Sequence, residues 1–256
     1  MSRPNVVILM SASLDGRTAL GPGRSQWEEM DDPRSSMTEG VVEAWSYVES
    51  AVDALHRPDA KMLGSASIMK ETDAVRALDP APGDPRFLYQ DYLPDRVTRT
   101  LGIRVWLITP DSRGRLRSGY EGTETPGHHV LHLVSRSTPA EYLAFLRDRS
   151  IPYIVAGGDK VDLPIALERL HAQLDVACLV AIGGGRLNGA LLRAGLVDEV
   201  NVIVRPELIG GIGTPTLFDC PDLAEDAWPT RLERLAVETV AERFLWLRYG
   251  VARPAR

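Results

Sequence analysis

The sequence reads Ala177-Cys178-Leu179-Val180-Ala181-Ile182-Gly183-Gly184-Gly185-Arg186-Leu187-Asn188 where an unbroken apolar run changes into a helical pattern. A continuous apolar run of this length is typical of a strand that is covered on both faces, as in a parallel sheet. Helical periodicity continues from Leu187 to Ala194, and Gly195 stands where a helix commonly ends in a left-handed residue. The stretch therefore predicts a strand–turn–helix unit of an α/β protein.

The same alternation extends in both directions along the chain. Helical patterns cover residues 139–149, after the cap-like Ser137-Thr138, and residues 163–174, after Asp162 as a cap. We predict an α/β fold, a single three-layer domain over residues 1–256, with a mostly parallel central sheet and helices on both faces. The expected strands are the apolar runs 5–10, 105–108, 130–134, 153–156, 177–182 and 200–204.

Two stretches interrupt this rhythm. Residues 21–38 are rich in glycine, proline, serine and charge, and predict a long loop that leads to a helix over 41–55. Residues 79–94 contain four prolines and predict an ordered surface loop. Loops of this length are often functional lids or binding walls, although a merely decorative insertion is an equal alternative.

Composition excludes several classes of function. The chain has 256 residues, is 44% hydrophobic and carries a formal net charge of −6. This mild acidity argues against a nucleic-acid-binding face. No apolar run reaches the ~20 residues of a membrane span, and the N-terminus does not resemble a signal peptide. The two cysteines, Cys178 and Cys220, are too few for a disulfide framework, so we expect a cytoplasmic protein.

The triple glycine is the strongest local motif. Glycines at a strand-to-helix turn let the backbone approach a ligand and expose amide N–H groups where the helix dipole favours a phosphate. The spacing is neither the dinucleotide fingerprint G-x-G-x-x-G nor a Walker motif. Tight packing between the turn and its surroundings explains such glycines equally well, and both interpretations stay open.

Polar residues also follow two other predicted strands. Asp15 follows the first strand and could hydrogen-bond a polar ring, although Asp15-Gly16 could simply form a turn. Residues 109–117 contain one serine and three arginines that could clamp a phosphate, or form a solvated basic loop. The five histidines have no metal-binding spacing, and no hydrolase motif is present. The sequence identifies no proton donor.

Residues 13–19, 183–188, 195–200 and 206–211 resemble the riboflavin-biosynthesis pyrimidine reductases of bacteria and archaea. The resemblance implies a dihydrofolate-reductase-like fold and a homodimer. It also implies NADPH-dependent hydride transfer to the ribosylamino group of a pyrimidine phosphate, a small-molecule substrate. The cofactor performs the difficult chemistry, and the protein aligns it with the substrate and excludes water.

The resemblance also implies roles for individual residues. Ser112 and Arg115 match the segment that holds the adenosine 2′-phosphate, and the glycine turn would hold the pyrophosphate and the nicotinamide side. For the substrate we expect Asp15 and Ser25. The cofactor-binding residues expected by resemblance are Trp27, Ser67, Glu71, Ser112, Arg115, Gly183, Gly184, Gly185, Arg186, Leu187 and Asn188.

One position departs from the family pattern. The family places a substrate-contacting glutamate immediately before the triple glycine, and this chain has Ile182 there. Loss of a carboxylate that pairs with a polar ring weakens discrimination between substrates. A dihydrofolate- or dihydropterin-type reductase is therefore an alternative. A protein that binds NADPH without catalysis is an alternative of another class.

Overall fold

The computed structural model describes residues 2–24, 40–68, 77–99, 102–117 and 126–252. The chain divides into two compact units. The first comprises Met1–Pro4 and Pro58–Leu179, and the second comprises Asn5–Arg57 and Val180–Arg256. The prediction of a single domain stays a prediction.

The first unit is built on the strands β2 (Ala60–Leu63), β3 (Val105–Pro110), β4 (His128–Val134) and β5 (Tyr153–Val155). They are parallel and lie in the order β5-β4-β3-β2. Val130 and Tyr153 of the strands belong to a buried core with Tyr142 and Leu146 of one helix. The helices are α2 (Ser65–Ile68), α3 (Asp95–Thr98), α4 (Ala140–Asp148) and α5 (Leu163–Leu174), with a 3-10 turn at Pro85–Leu88.

The helix boundaries test the predicted caps. α5 begins as expected, because the Asp162 side chain accepts a hydrogen bond from the Ile165 amide at 3.1 Å. The prediction that Ser137-Thr138 caps α4 is wrong: Pro139 is the N-cap and no side chain caps the helix. The Thr138 hydroxyl instead accepts from the Ser135 amide at 3.0 Å. This hydroxyl therefore stabilises the loop that precedes α4 and does not cap the helix.

The elements of the second unit are β1 (Asn5–Ser13), α1 (Val41–His56), β6 (Cys178–Gly183), α6 (Gly185–Arg193), β7 (Glu199–Arg205), β8 (Leu232–Val240) and β9 (Phe244–Val251). Its strands lie in the order β6-β1-β7-β9-β8. β1 and β7 are parallel, whereas β7, β9 and β8 are antiparallel neighbours. The α/β class with a mostly parallel sheet is thus confirmed, as is the helix expected over 41–55.

The triple glycine connects β6 to α6 as predicted: Gly183 ends β6, Gly184 is the N-cap, and α6 begins at Gly185, two residues earlier than the periodicity indicated. Gly195 has the expected positive φ of 66° just after the helix. The loop expected over 79–94 is described throughout and includes the 3-10 turn. Most of the loop expected over 21–38 lies outside the described residues.

Candidate functional site

The loop after β3 has a fixed conformation. The Asp111 carboxylate is buried, and its Oδ2 accepts hydrogen bonds from the amides of Arg115 at 2.6 Å and Leu116 at 3.1 Å. Gly114 has a φ of 58°, and a Cβ at this position would lie 2.6 Å from the ring of Tyr142. Only glycine therefore fits this turn against the core, and the turn leaves Arg113 exposed.

Arg115 points back toward the beginning of α2. Its Nη2 donates to the Ser65 hydroxyl at 2.8 Å, and its Nε lies 3.8 Å from Asp111 Oδ1. Ser67 lies two residues further along the same short helix, with its amide bonded to the Gly64 carbonyl at 2.8 Å. The structure thus brings Arg115 to the segment that contains Ser67, and it gives the guanidinium partners within the protein.

Ser112 joins the loops that follow β3, β4 and β5. Its carbonyl accepts from the Thr138 hydroxyl at 3.0 Å, and its own hydroxyl accepts from the Val161 amide at 2.9 Å. The Ser137 hydroxyl donates to the carbonyl of Asp159. These loops enclose a pocket of about 370 Å³ lined by Ser112, Arg113, Ser137, Pro139, Asp159 and Lys160.

Of the residues that line this pocket, the sequence singled out Ser112 and Arg113 as phosphate-binding candidates and did not predict the others. A glycine pair followed by Asp159 and Lys160 directly after an apolar strand was the available signal. Local sequence does not show that this segment meets Ser137, 22 residues earlier in the chain.

The glycine turn in the second unit is closely packed against its own chain. Gly184 has a φ of 93°, which favours glycine. A Cβ at Gly185 would lie 2.1 Å from the Thr216 carbonyl oxygen, and one at Gly189 would lie 2.6 Å from that of Asp219. Two glycines of this region are therefore required by packing.

Asn188 retains one unused polar atom in the same region. The side chain is fully buried, and its Nδ2 donates to the Leu217 carbonyl at 3.1 Å. Its Oδ1 is buried without a hydrogen-bond partner among the described residues. A buried acceptor without a donor is unfavourable, so this oxygen suits a ligand that carries an N–H group. Of its neighbours, Arg186 is exposed and Leu187 is buried.

Asp15 holds a loop of its own unit. Its carboxylate accepts from the Ser13 hydroxyl at 2.6 Å and from the amides of Ile209 at 3.1 Å and Gly210 at 2.6 Å. These hydrogen bonds, the one from Ser13 first, lower the pKa of Asp15 to about 2. Gly16 completes the turn with a φ of 78°. The turn is confirmed, whereas a contact between Asp15 and a substrate stays a prediction.

Arg205, at the carboxyl end of β7, was missed in the sequence. It is 1% exposed, and its Nε donates to the Glu207 carboxylate. Its Nη1 is buried without a partner in the described part of the chain. An arginine that ends an apolar strand was the only sequence signal. The remaining predicted site residues, Ser25, Trp27 and Glu71, lie outside the described residues.

None of the helices in the described ranges combines the length and the apolar character that crossing a lipid bilayer requires.

Comparison with known proteins finds a matching family model and two relatives that share one name. The model of the RibD C-terminal domain family matches residues 4–246. The 2,5-diamino-6-ribosylamino-4(3H)-pyrimidinone 5′-phosphate reductase of Methanothermobacter thermautotrophicus is 32% identical over 243 residues, which are 94% of this chain and 95% of that protein. The protein of the same name from Aquifex aeolicus is 28% identical, over 85% of this chain and 83% of its own.

A solved structure is similar over nearly the whole chain. A pyrimidine reductase-like protein from Corynebacterium diphtheriae superimposes with a TM-score of 0.60 at 18% identity, covering 98% of this chain and 93% of that one. At this identity the likeness supports the fold alone.

Proposed function

Because this chain belongs to the RibD C-terminal domain family, we propose that it is an NADPH-dependent reductase of a ribosylaminopyrimidine phosphate in riboflavin biosynthesis. The observation that carries the proposal is the 32% identity, over 94% of the chain, with a protein named as the reductase of such a compound. The matched residues, 4–246, include parts of both compact units.

The residues of the first unit suit the adenosine end of a dinucleotide. Ser112 and Arg113 border a pocket of about 370 Å³, which is within the size range of small-molecule sites. Ser67 belongs to the segment that Arg115 holds through Ser65. Guanidinium and hydroxyl groups recognise phosphate through charge-assisted hydrogen bonds.

The residues of the second unit suit the nicotinamide end. NADPH supplies the hydride when bound. The orphaned Oδ1 of Asn188 is an acceptor that fits an amide N–H donor such as a carboxamide. Gly184 permits close approach of the backbone, and Arg186 is exposed beside it. These residues would bind and orient the cofactor.

A dihydropterin-type reductase is the second candidate. Ile182 is half-buried on β6, directly before the glycine turn, where the resemblance predicts a carboxylate that contacts the substrate. An apolar side chain at this position cannot pair with the polar ring of the pyrimidine substrate. If the substrate of this chain differs from that of its relatives, Ile182 is the residue we expect to cause the difference.

The test is an assay of purified protein with NADPH and either the ribosylaminopyrimidinone phosphate or dihydrofolate, following the absorbance of the reduced nicotinamide. We expect turnover with the pyrimidine. Turnover with dihydrofolate alone would favour the second candidate. Calorimetric binding of NADPH without turnover on either substrate would favour a non-catalytic binding protein, and absence of binding would contradict all three hypotheses.

The C-terminal hairpin is the interface that we propose for a homodimer. Phe244 and Trp246 are each 2% exposed and belong to the core, whereas Leu245 between them is 40% exposed. Leu245 lies opposite Val204 of β7, and Val237 of β8 lies opposite Leu247, so these apolar residues share one face. Val237 is 48% exposed. This face is apolar enough to pair with a second copy.

Light scattering tests the homodimer. We expect a mass near twice 28.1 kDa for the wild type. Leu245→Lys should give a single-chain mass, and Glu238→Lys, on the other face of the hairpin, should keep the dimer. A wild-type mass of one chain would contradict the proposal.

We also propose a cytoplasmic location. Cys178 and Cys220 are free thiols, which suits the reducing conditions of that compartment. Fractionation of cells that express the tagged protein tests this location.

A further inference from the structure

Three buried polar atoms without partners lie at the carboxyl ends of β1 and β7 in the second unit. Arg205 pairs with Ser13 in the parallel register, and Ser11 pairs with Ile203 on the same face of the sheet. Ser11 Oγ, Arg17 Nε and Arg205 Nη1 are buried and have no hydrogen-bond partner among the described residues. Because buried polar atoms are almost always hydrogen-bonded, three such atoms at one sheet edge indicate a group that the chain itself does not supply.

Arg205 is held so that one side of its guanidinium has no partner. The side chain is 1% exposed, its Nε donates to the Glu207 carboxylate, and its Nη2 donates to the Arg17 carbonyl at 3.4 Å. These two contacts fix the plane of the guanidinium and leave Nη1 without an acceptor in the described part of the chain. A donor that is oriented in advance binds an oxygen acceptor at a low cost in conformational entropy.

The charges around Arg205 indicate which class of acceptor fits. The Asp15 carboxylate lies 3.9 Å from Arg17 Nε and already accepts from the Ser13 hydroxyl and from two backbone amides. The Glu207 carboxylate pairs with Arg205. Two cations and two carboxylates therefore nearly balance. This balance suits an uncharged oxygen acceptor, such as the carbonyl of a ring, better than a phosphate dianion.

Acceptors for an N–H group of the substrate are scarce on the neighbouring strand. β6 lies beside β1 in the sheet, and Ile182 near its end is apolar where the resemblance predicts a carboxylate. The carboxylate of Asp15 is already engaged by protein donors. Among the described residues at this edge, the charged group without a partner is thus a hydrogen-bond donor, whereas the family pattern supplies an acceptor from β6.

We propose that Arg205 is a substrate-binding residue whose Nη1 donates to a carbonyl oxygen of the substrate's ring, and that this contact determines which pyrimidine the chain prefers. The inference rests on the proposed function and specifies the ring that its site takes. A carbonyl at ring position 2 accepts from Nη1, whereas an amino group at that position is itself a donor and leaves Nη1 unpaired. A site with an unpaired buried donor discriminates against the amino compound.

The experiment measures kcat and KM for two ribosylaminopyrimidine phosphates that differ only at ring position 2, one with a carbonyl and one with an amino group. The wild type should have a KM about tenfold lower for the carbonyl compound, as expected for one charge-assisted hydrogen bond. Arg205→Met should remove this preference by raising KM for the carbonyl compound, with kcat little changed. Arg248→Met is the matched control, because Arg248 is 18% exposed in the same sheet and its guanidinium bonds Glu199. It should keep the wild-type ratio.

Arg205→Lys keeps the result decisive if Arg205→Met fails to fold. Lysine retains the positive charge beside Glu207 but lacks the planar guanidinium that contacts three directions at once, so the preference should fall about tenfold in a folded protein. Calorimetry with 5,6-diaminouracil and with 2,5,6-triaminopyrimidin-4-one gives a readout without turnover. The wild type should bind the uracil more tightly, and Arg205→Lys should lose that difference.

The two proposals fail in different ways. If the wild type binds the uracil more tightly through Arg205 but reduces neither phosphate, the proposed function fails and the ring site stands. If the wild type reduces the amino compound as well as the carbonyl compound or better, the proposed function stands and the role of Arg205 is overturned. A KM ratio that is unchanged in Arg205→Lys also overturns it, because an ordered water then satisfies Nη1.

Discussion

The glycine turn before α6 and the pocket beside Ser112 differ in what they leave unused. At the turn, the segment around Asp219 packs directly against Gly185 and Gly189, and one buried oxygen of Asn188 has no hydrogen-bond partner among the described residues. At the pocket, the cationic side chains of Arg113 and Lys160 and the hydroxyl of Ser112 are available to a ligand. The glycine-rich motif has the stronger sequence pattern, yet the plainer loops keep more binding capacity. A glycine-rich motif therefore indicates only that another group approaches the backbone closely, and that group can belong to the protein itself.

The largest effect should come from adding one methyl group to the turn. Gly185→Ala places a Cβ 2.1 Å from the Thr216 carbonyl oxygen, so the backbone has to move. We expect the free energy of unfolding to fall by about 3 kcal/mol or more. Gly158→Ala, in a loop beside the pocket with nothing within 4 Å, should change it by less than about 0.5 kcal/mol. Urea denaturation checks both, and equal effects would contradict the contrast.

Acidic pH should lower the stability of the core beneath the pocket beside Ser112. His132 is fully buried, and desolvation lowers its pKa from 6.5 to about 3. It contacts the Tyr142 hydroxyl at 3.3 Å, and the Tyr142 ring packs under Gly114. Below pH 6.5 the His132 imidazole is protonated in the unfolded chain but stays neutral in the folded chain, so stability falls as the pH drops toward 3.

We expect this histidine to cost about 2 kcal/mol of stability between pH 7 and pH 5. In His132→Gln the slope of unfolding free energy against pH should lose this contribution, whatever the stability of the variant at pH 7. Urea midpoints at several pH values measure the slope. Identical slopes in the two proteins would show that His132 does not titrate as described.

The fold was largely predictable, because buried parallel strands are continuous apolar runs. Three strands lie outside the expected runs: β9, which contains the apolar run 244–247, and β2 and β8, which were missed for physical reasons. β2 is four residues long and includes Lys61, which is buried to 9% exposure. β8 carries charged residues and is exposed along most of its length, so it has neither an apolar run nor clean alternation.

The candidate site was less predictable, because it depends on contacts between distant segments. Ser112 was identified from the basic segment and from the resemblance, whereas Lys160 comes near it through a contact between distant segments, in which the Val161 amide donates to the Ser112 hydroxyl. The buried state of Arg205 likewise depends on packing that no local pattern encodes. Sequence identifies which residues carry suitable chemistry, whereas the structure shows which of them already have partners within the protein.

Two buried asparagines differ in how many of their polar atoms are hydrogen-bonded. Asn201 has both polar atoms engaged, with Nδ2 donating to Glu199 and Oδ1 accepting from Trp246, each at 3.0 Å. Asn188 has only the Leu217 partner. We expect Asn188→Ala to lower stability by about 1 kcal/mol and Asn201→Ala by more, since it leaves two groups unpaired. Only Asn188→Ala should weaken NADPH binding in calorimetry, and equal affinities would contradict a cofactor role for Oδ1.

The smallest effect concerns Asp15, for which two roles can be separated: holding the loop at Ile209 and Gly210, and contacting the substrate. Its pKa is lowered to about 2 from 3.8, so its stabilising contribution is complete above about pH 4 and is lost as the pH falls through 2. Asp15→Asn removes the charge that the Ile209 and Gly210 amides bond. Hydrogen exchange at these two amides should become faster at neutral pH, and the fall of their protection factors as the pH drops through 2 should disappear. Faster exchange with unchanged substrate KM assigns Asp15 to the loop alone, whereas unchanged exchange with a raised KM would assign it to the substrate.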